Sequence, residues 1–178
     1  MALKATIFKA DLQIADMDRN YYQSHTLTIA RHPSETDERM MVRLLAFALN
    51  ADDDLSFTKG LSTDDEPDLW IKSLSDEIDL WIDLGQPDEK RIRKACGRAR
   101  QVAVYCYSSR SASIWWEQNG SKLQRFDNLK VINIQHDASK QLAKFAQRNM
   151  QLQCTIQDGQ VWLADDAESV QVDLAAWK

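Results

Sequence analysis

The sequence predicts a mixed α/β fold in one domain that spans residues 1–178. Segments with the alternating pattern of strands are interleaved with segments of helical periodicity along the whole chain. The length of 178 residues suits one domain, and no internal repeat or low-complexity linker divides it. A chain of this length buries about 70% of its unfolded surface, so it needs no disulfide or metal to hold it together.

A hairpin is predicted at the start of the chain. Residues 3–16 alternate loosely between apolar and polar side chains, and residues 26–30 are β-branched and apolar. A turn near Arg19 and Asn20 joins the two segments. This order of strand, turn and strand is typical of a β-hairpin.

The first helix is predicted over residues 35–50. His-Pro-Ser at 32–34 breaks the preceding strand, and Ser34 with Asp37 three residues later forms a weak capping box. Helical spacing follows in the apolar residues Met40, Met41, Leu44, Leu45, Ala48 and Leu49.

The segment between this helix and residue 77 has weaker signals. Residues 55–61 are predicted as a short strand after the acidic loop 52–54. Pro67 suits the first turn of a helix, and acidic residues precede it, so residues 67–74 are predicted as one or two helical turns. An extended conformation is the alternative.

A clear strand and a basic helix come next. In residues 78–84 apolar side chains alternate with Asp79, Trp81 and Asp83, as in a strand with one apolar face. Gly-Gln-Pro-Asp closes the strand, and Asp88 is predicted to cap the helix. The helix has an apolar inner face, formed by Ile92, Ala95, Cys96 and Ala99. Six cations follow the cap: Lys90, Arg91, Arg93, Lys94, Arg98 and Arg100.

The remaining elements alternate in the same way. The predicted elements are a core strand at 101–107, a helix at 111–118, a strand at 130–134, a helix at 137–148, a hairpin of strands 152–156 and 160–163, and a strand at 170–174. Asp158-Gly159 forms the turn of the hairpin.

Composition excludes several classes of protein. No apolar run approaches the roughly 20 residues of a membrane helix, and the N-terminus lacks the features of a signal peptide, so a cytoplasmic protein without a membrane partner is expected. Three cysteines without C-x-x-C spacing argue against a disulfide framework and structural zinc. The net charge of −5 argues against a generally basic nucleic-acid binder. Residues 90–100 are the exception, because they form a local basic patch.

Several longer sequence pieces carry a resemblance to a known family. They are A-L-K-A-T-I-F-K-A, S-E-T-D-E-R-M-M-V-R, D-E-P-D-L-W, I-D-L-W-I-D-L-G-Q-P-D, I-W-W and T-I-Q-D-G-Q-V-W-L, in that order. In these pieces the chain closely resembles the bacterial YaeQ family over nearly its whole length. The resemblance implies a variant PD-(D/E)XK nuclease-like core of helix, central mixed sheet and helix, with extra N- and C-terminal β-strands.

The resemblance also implies a site. In that superfamily two or three carboxylates hold Mg²⁺, which polarises the phosphate and activates water, while a Lys stabilises the developing charge. Pro67-Asp68 resembles the first motif and Asp83-Leu84-Gly85 the second, with Gly85 where the consensus has Lys. The metal ligands are therefore expected to be Asp83 with Glu66 or Asp68, and Asp65 is a further substitute.

Other residues complete this expected site. Lys94, or Lys90, could supply the missing ammonium group from the basic helix, and Glu38 resembles the extra acidic residue of many superfamily members. Asp83, Lys94 and Glu38 are the expected catalytic residues. The residues expected to contact nucleic acid are Lys90, Arg91, Arg93 and Lys94.

Each assignment has a structural alternative. Asp65, Glu66 and Asp68 could cap a short helix around Pro67. Asp83 could lie on the solvent face of its strand.

The remaining charged and aromatic residues also have alternatives. Glu38 could form a surface ion-pair face with Arg39 and Arg43, and the basic helix could be a solvated face. Trp115 and Trp116 suggest base stacking, although adjacent helical residues point about 100° apart, which favours a core position for one of them.

Two functions remain open from the sequence. The first is a Mg²⁺-dependent nuclease or phosphodiesterase that acts on nucleic acid. The second is a protein that kept the fold, lost the chemistry and binds a nucleic acid or protein partner in a process linked to transcription. Gly85 at the lysine position and the net acidity favour the second.

Overall fold

A computed structural model describes residues 4–59, 65–135 and 137–178. Its elements in chain order are β1 (Thr6–Asp16), β2 (Tyr21–Arg31), α1 (Asp37–Leu49), β3 (Leu55–Phe57), β4 (Leu69–Lys72), β5 (Ile78–Leu84), α2 (Glu89–Arg98), β6 (Ala99–Cys106), α3 (Ser109–Leu123), β7 (Leu129–Ile134), α4 (Ala138–Ala143), β8 (Asn149–Gln157), β9 (Gln160–Ala164), β10 (Ser169–Val172) and β11 (Leu174–Ala176). The described residues therefore form a mixed α/β fold.

Two mixed sheets organise the fold. The first has the strand order β10-β9-β8-β1-β2, in which β1 pairs antiparallel with β2 and parallel with β8. The second has the order β11-β7-β6-β5-β4-β3, with β5, β6 and β7 parallel to one another. The strands β3, β4 and β11 pair antiparallel on its two sides.

The helices lie in two different layers. Every residue of α1 from Met40 to Ala48 is buried, because this helix packs in a core that both sheets line. Leu142 of α4 belongs to the same core. The opposite face of the second sheet packs against α2 and α3, with Ile92 and Trp115 among the buried side chains.

Most predicted elements are confirmed, with shifted boundaries. The first hairpin, strands β5 and β6, helix α2 with its Asp88 cap, and the hairpin β8–β9 lie where the sequence places them. The cap of α1 is Thr36 rather than Ser34, because the Thr36 hydroxyl accepts the Arg39 N–H at 3.1 Å. Helix α3 is longer than predicted.

Three predictions near chain turns differ from the structure. The helix expected at 67–74 is wrong, since β4 lies there and pairs with β5, which confirms the extended alternative. The helix expected at 137–148 ends at Ala143 because residues from Asn149 onward pair with β1. The strand expected at 55–61 is present as β3, and its last two residues lie outside the described ranges.

Within the described ranges, no helix combines the length and apolar character needed to cross a bilayer.

Candidate functional site

The candidate site lies where the parallel strands β5 and β6 end. Gly85 follows β5 and Tyr107 follows β6, and the two segments are joined by the Gln86 side-chain amide, which donates to the Tyr107 carbonyl at 2.6 Å. Helices α2 and α3 begin within a few residues of these strand ends. In open α/β sheets ligands bind outside the carboxyl ends of the strands, so this edge is where a site is expected.

Two buried aspartates lie on neighbouring strands at this edge. Strands β4 and β5 are antiparallel, and Leu69 is opposite Ile82. Asp68 precedes Leu69 and Asp83 follows Ile82, and the Asp68 N–H donates to the Ile82 carbonyl at 2.9 Å. The exposed fractions of Asp68 and Asp83 are 4% and 2%. The pairing of β4 with β5 therefore brings two buried aspartates to the same end of the sheet, close enough for the charge of Asp68 to act on Asp83.

Arg91 of α2 holds the Asp83 carboxylate. Its Nε is 2.9 Å from Oδ2 and its Nη2 is 3.0 Å from Oδ1, a bidentate arrangement. The same Nη2 donates to the Glu66 carbonyl at 2.9 Å. Asp88 caps the helix by accepting the Arg91 N–H at 2.7 Å. The cap and the ion pair together fix the first turn of α2 against β5.

Arg39 of α1 holds the Asp68 carboxylate from the other side of the sheet. Its Nη2 donates to Asp68 Oδ1 at 2.8 Å, and the Leu84 N–H donates to Oδ2 at 2.9 Å. Arg39 also donates to Glu35 at 2.8 Å, and Glu35 accepts from Arg43 at 2.6 Å. These four charged residues form a buried network that ties α1 to β4.

Burial shifts several pKa values at this edge. Burial raises the pKa of Asp83, and the Arg91 guanidinium opposes that shift, while the nearby Asp68 charge adds to it. Burial lowers the pKa of Arg39, but the Asp68 and Glu35 carboxylates outweigh it and raise that pKa overall. Burial also raises the pKa of Tyr107 to about 12. Tyr107 therefore stays a neutral hydrogen-bond donor at the rim of the site.

Comparison with known proteins decides the family. The family model described as YaeQ protein matches residues 1–174. The chain belongs to the YaeQ family. It is 53% identical to the Uncharacterized protein YaeQ of Escherichia coli K12, over 100% of this chain and 98% of that one. The relative of the same name from Salmonella typhi is also 53% identical, with the same coverage.

Two solved YaeQ structures share the fold. The crystal structure of YaeQ protein from Xanthomonas axonopodis pv. citri is 51% identical, with a TM-score of 0.94 and coverage of 97% of each chain. The structure from Pseudomonas syringae is 37% identical, with a TM-score of 0.93 and coverage of 98% of this chain and 96% of that one. The arrangement of two mixed sheets and four helices in the described residues is therefore the YaeQ fold.

The YaeQ chain brings together only part of the site expected from its sequence. Asp68, Asp83 and Arg91 meet at one edge. Glu66 lies next to them in the chain, but its carboxylate accepts the Lys59 N–H at 3.3 Å. Glu38 is half-buried on α1, and its charge acts on Tyr107. Glu38 is thus at the rim of the site.

The cations of α2 divide into inward and outward groups. Lys94 is 60% exposed and pairs with exposed Asp65 at 3.0 Å, which lowers the pKa of Asp65. Lys90 and Arg93 are also exposed on this helix. Arg91 is the cation that reaches the carboxylates, a position that the sequence analysis expected for Lys94 or Lys90.

Several structural alternatives are corrected by the geometry. Asp83 is buried rather than on a solvent face, because α2 covers that end of β5. Asp68 caps no helix, because β4 follows it. Arg39 and Arg43 pair with Glu35 rather than with Glu38. For Trp115 the core position is confirmed, since it is buried and donates to the Pro87 carbonyl at 2.8 Å.

The site includes residues that the sequence analysis did not select. Glu35, Arg39 and Arg43 follow one another at intervals of four residues, which places them on one face of a helix and was the available signal. Gly85 has a φ of +90°, which favours glycine. The position expected from the sequence resemblance to correspond to the consensus Lys is therefore a backbone bend that favours glycine.

The Asp83 carboxylate expected to hold Mg²⁺ is already paired with a guanidinium. Within residues 4–59, 65–135 and 137–178, no group of three or more Asp, Glu, His or Cys side chains is placed to hold a metal ion. Both oxygens of Asp83 accept hydrogen bonds from Arg91, so an ion at that carboxylate would have to displace a guanidinium. The positive charge beside Asp83 in this structure is the Arg91 guanidinium.

Proposed function

We propose that this YaeQ protein is a variant PD-(D/E)XK nuclease-like protein that binds nucleic acid without cleaving it. The observation that carries the proposal is the bidentate pair of Arg91 with Asp83. A guanidinium there supplies the charge balance that a divalent ion would supply, and it opposes the rise in the pKa of Asp83 that burial causes. In this proposal the two carboxylates stabilise the fold, and the pair of Asp83 with Arg91 holds α2 in position.

The binding surface in this proposal is the outward side of α2. Lys90 and Arg93 are exposed, and Lys94 is exposed beside a shallow depression lined by Asp88, Lys90, Arg91 and Lys94. Phosphate contacts from Lys and Arg supply most of the affinity for nucleic acid and do not depend on base sequence. The chain carries a net charge of −5, so the attraction is local to this helix.

The sequence-based expectation of a cytoplasmic location belongs to the same proposal. Nucleic acid is accessible in that compartment. A protein partner in a process linked to transcription is the competing ligand, and it would bind a basic helix through acidic side chains rather than phosphates. The salt dependence of binding to a defined oligonucleotide separates the two, because counterion release from a nucleic acid has a steep slope.

The first experiment is a fluorescence anisotropy titration with labelled single-stranded DNA, duplex DNA and RNA. The double variant Lys90→Glu/Arg93→Glu is compared with Lys122→Glu/Lys140→Glu, which makes the same charge change at exposed positions on α3 and α4. Only the α2 variant should lose affinity. Its slope of log K against log salt on duplex should fall by about 0.9 for each lost phosphate contact. Equal losses in both variants would overturn the proposal.

A second candidate function is a Mg²⁺-dependent nuclease. The observation that favours it is that Asp68 and Asp83, the two positions that resemble the acidic motifs, are both buried at the carboxyl end of β5, where the charge of one acts on the other. In this candidate the Arg91 guanidinium leaves Asp83 when an ion and substrate arrive. Glu38 at the rim and Glu66 in the preceding segment are the remaining acidic candidates.

Calorimetric titration of Mn²⁺ and Mg²⁺ separates the two functions. The proteins are wild type, Asp83→Asn and Arg91→Lys, with cleavage of plasmid, single-stranded DNA and RNA measured in parallel. The nucleic-acid-binding proposal expects no metal binding and no cleavage in wild type. Metal binding and cleavage that both disappear in Asp83→Asn would establish the nuclease instead.

A further inference from the structure

The two sheets have four open edges, and one of them differs from the other three. In the described residues the edge strands β3 and β11 have three residues each and β10 has four, whereas β2 has 11. Short edge strands are one of the ways in which proteins prevent pairing with another chain. The edge formed by β2 lacks that protection.

Strand β2 also lacks the other protective devices. It contains no Pro, and its 11 residues pair with β1 in one continuous register without a bulge. From Tyr21 to Ala30 it carries no Asp, Glu, Lys or Arg. Its only histidine, His25, contacts the rings of Tyr21 and Phe47. A long edge of this kind, without a bulge and uncharged from Tyr21 to Ala30, is a template for a further strand.

The pairing pattern shows which backbone groups of β2 are open. The Lys9 N–H donates to the Arg148 carbonyl at 2.8 Å, so Lys9 directs its backbone groups toward β8. Its partner on β2, Thr28, therefore directs its N–H and C=O away from β1, and residues of the same parity do likewise. These residues are Tyr22, Ser24, Thr26, Thr28 and Ala30. Among the described residues, only the Arg43 guanidinium reaches this row, at the Ala30 carbonyl.

We propose that β2 pairs antiparallel with β2 of a second copy of this chain, so that two five-stranded sheets become one continuous sheet. A two-fold axis at Thr26 places that residue opposite its own counterpart. Ser24 then lies opposite Thr28 of the second copy, and Tyr22 opposite Ala30. Cross-strand Thr and Ser pairs stabilise sheets, and the absence of charge leaves no like-charge repulsion in this self-pairing.

The sequence of the edge favours a second copy over an unrelated partner. Its open residues are arranged symmetrically about Thr26, with small hydroxyl side chains at the centre. The Tyr22 ring, which is 55% exposed, lies at one end where it would cover Ala30 of the second copy. Such an isologous contact is the usual form of a dimer interface.

The test measures the mass of the protein in solution and the disulfide cross-linking of two copies. Sedimentation equilibrium over a range of concentrations should give a species of twice the 20.5 kDa chain mass. In a hydrogen-bonded antiparallel pair the Cα atoms are about 5.5 Å apart, within the range of a disulfide. Thr26→Cys should therefore form a covalent dimer under mild oxidation. Gln153→Cys is the matched control, because it lies on β8 at the centre of the same sheet.

A charge variant tests the same contact without a disulfide. Thr26→Lys places two ammonium groups opposite each other and should convert the dimer to monomer, while Gln153→Lys should not. A wild type that stays monomeric, or cross-linking of Thr26→Cys no greater than that of Gln153→Cys, overturns the proposal. A monomer that instead binds a strand-forming peptide at this edge would also overturn it, since the occupant would then be another chain.

Discussion

Two of the ion pairs of helix α2 differ sharply in their surroundings. Arg91 pairs with Asp83, whose side chain is 3% exposed, and Lys94, one turn further along, pairs with Asp65, whose side chain is 80% exposed. The first pair is held by two hydrogen bonds and lies against the sheet, while the second is surrounded by water. One helix therefore carries a structural charge on its inner side and displaceable charges on its outer side.

The largest loss of stability should come from breaking the second buried ion pair at this edge, that of Arg39 with Asp68. Arg39→Met removes the guanidinium that balances Asp68, which then keeps only the Leu84 N–H as a donor. Loss of one partner of a buried pair costs about 3–5 kcal/mol, because the remaining charge is not compensated. Urea unfolding monitored by circular dichroism measures it. Arg93→Met is the exposed control, and an equal shift in both variants would show that burial is not the cause.

A pH series sharpens the comparison further. The raised pKa of Asp83 means that the folded protein holds this proton more tightly than the unfolded chain. The stabilising contribution of the proton is full below the unfolded pKa of about 3.9 and is lost as pH rises through the raised folded pKa. Acidification from pH 7 to about pH 4.5 should therefore favour wild type over Asp83→Asn. Unfolding midpoints at the two pH values test this, and the opposite trend would mean that Arg91 outweighs burial.

The cap of α2 should give a smaller effect. Asp88→Ala removes the carboxylate that accepts the Arg91 N–H, which costs about 1 kcal/mol in typical N-caps. Asp88→Asn keeps an acceptor at the same place and should retain most of the stability. Thermal unfolding of both variants measures the difference, and a loss of equal size in Asn and Ala would assign the effect to charge rather than to capping.

The smallest effect on stability should come from the exposed pair. Lys94→Met breaks the contact with Asp65 in open solvent, where screening and side-chain entropy leave little net stabilisation. Its urea midpoint should equal that of wild type, while its affinity for single-stranded DNA should fall. A large shift of the midpoint would show that the outer side of α2 also supports the fold.

The sequence predicts the regular elements well where local pattern and tertiary contacts agree. Strand β5 alternates clearly, and Asp88 precedes α2 as a cap should. The helix prediction for the segment after Pro67 is wrong because acidic residues before a proline resemble a helix start, whereas the segment pairs with β5, from Leu69 opposite Ile82 to Lys72 opposite Ile78. The pairing of β4 with β5 cannot be predicted from the local propensity of either segment.

The site was predicted in part for the same reason. Asp68 and Asp83 were selected from motif position, and the structure places both at one edge. The alternation of β5 predicts that Asp83 points to solvent, because the sequence pattern does not show that α2 covers this face of the strand. Arg91 was one of six cations with similar spacing, and only the packing of α2 on β5 distinguishes it. Spacing along a helix does not tell which cation turns inward.

The parallel pairing of β1 with β8 has a consequence for how the molecule forms. The Arg148 side chain donates to the Ile7 carbonyl across a sequence separation of 141 residues. Strand β1 therefore lacks its neighbour on that side until β8 has been synthesised. Contacts of such long range close large loops and slow the search for the native state. Completion of this sheet is therefore expected to be a late step in the folding of these residues.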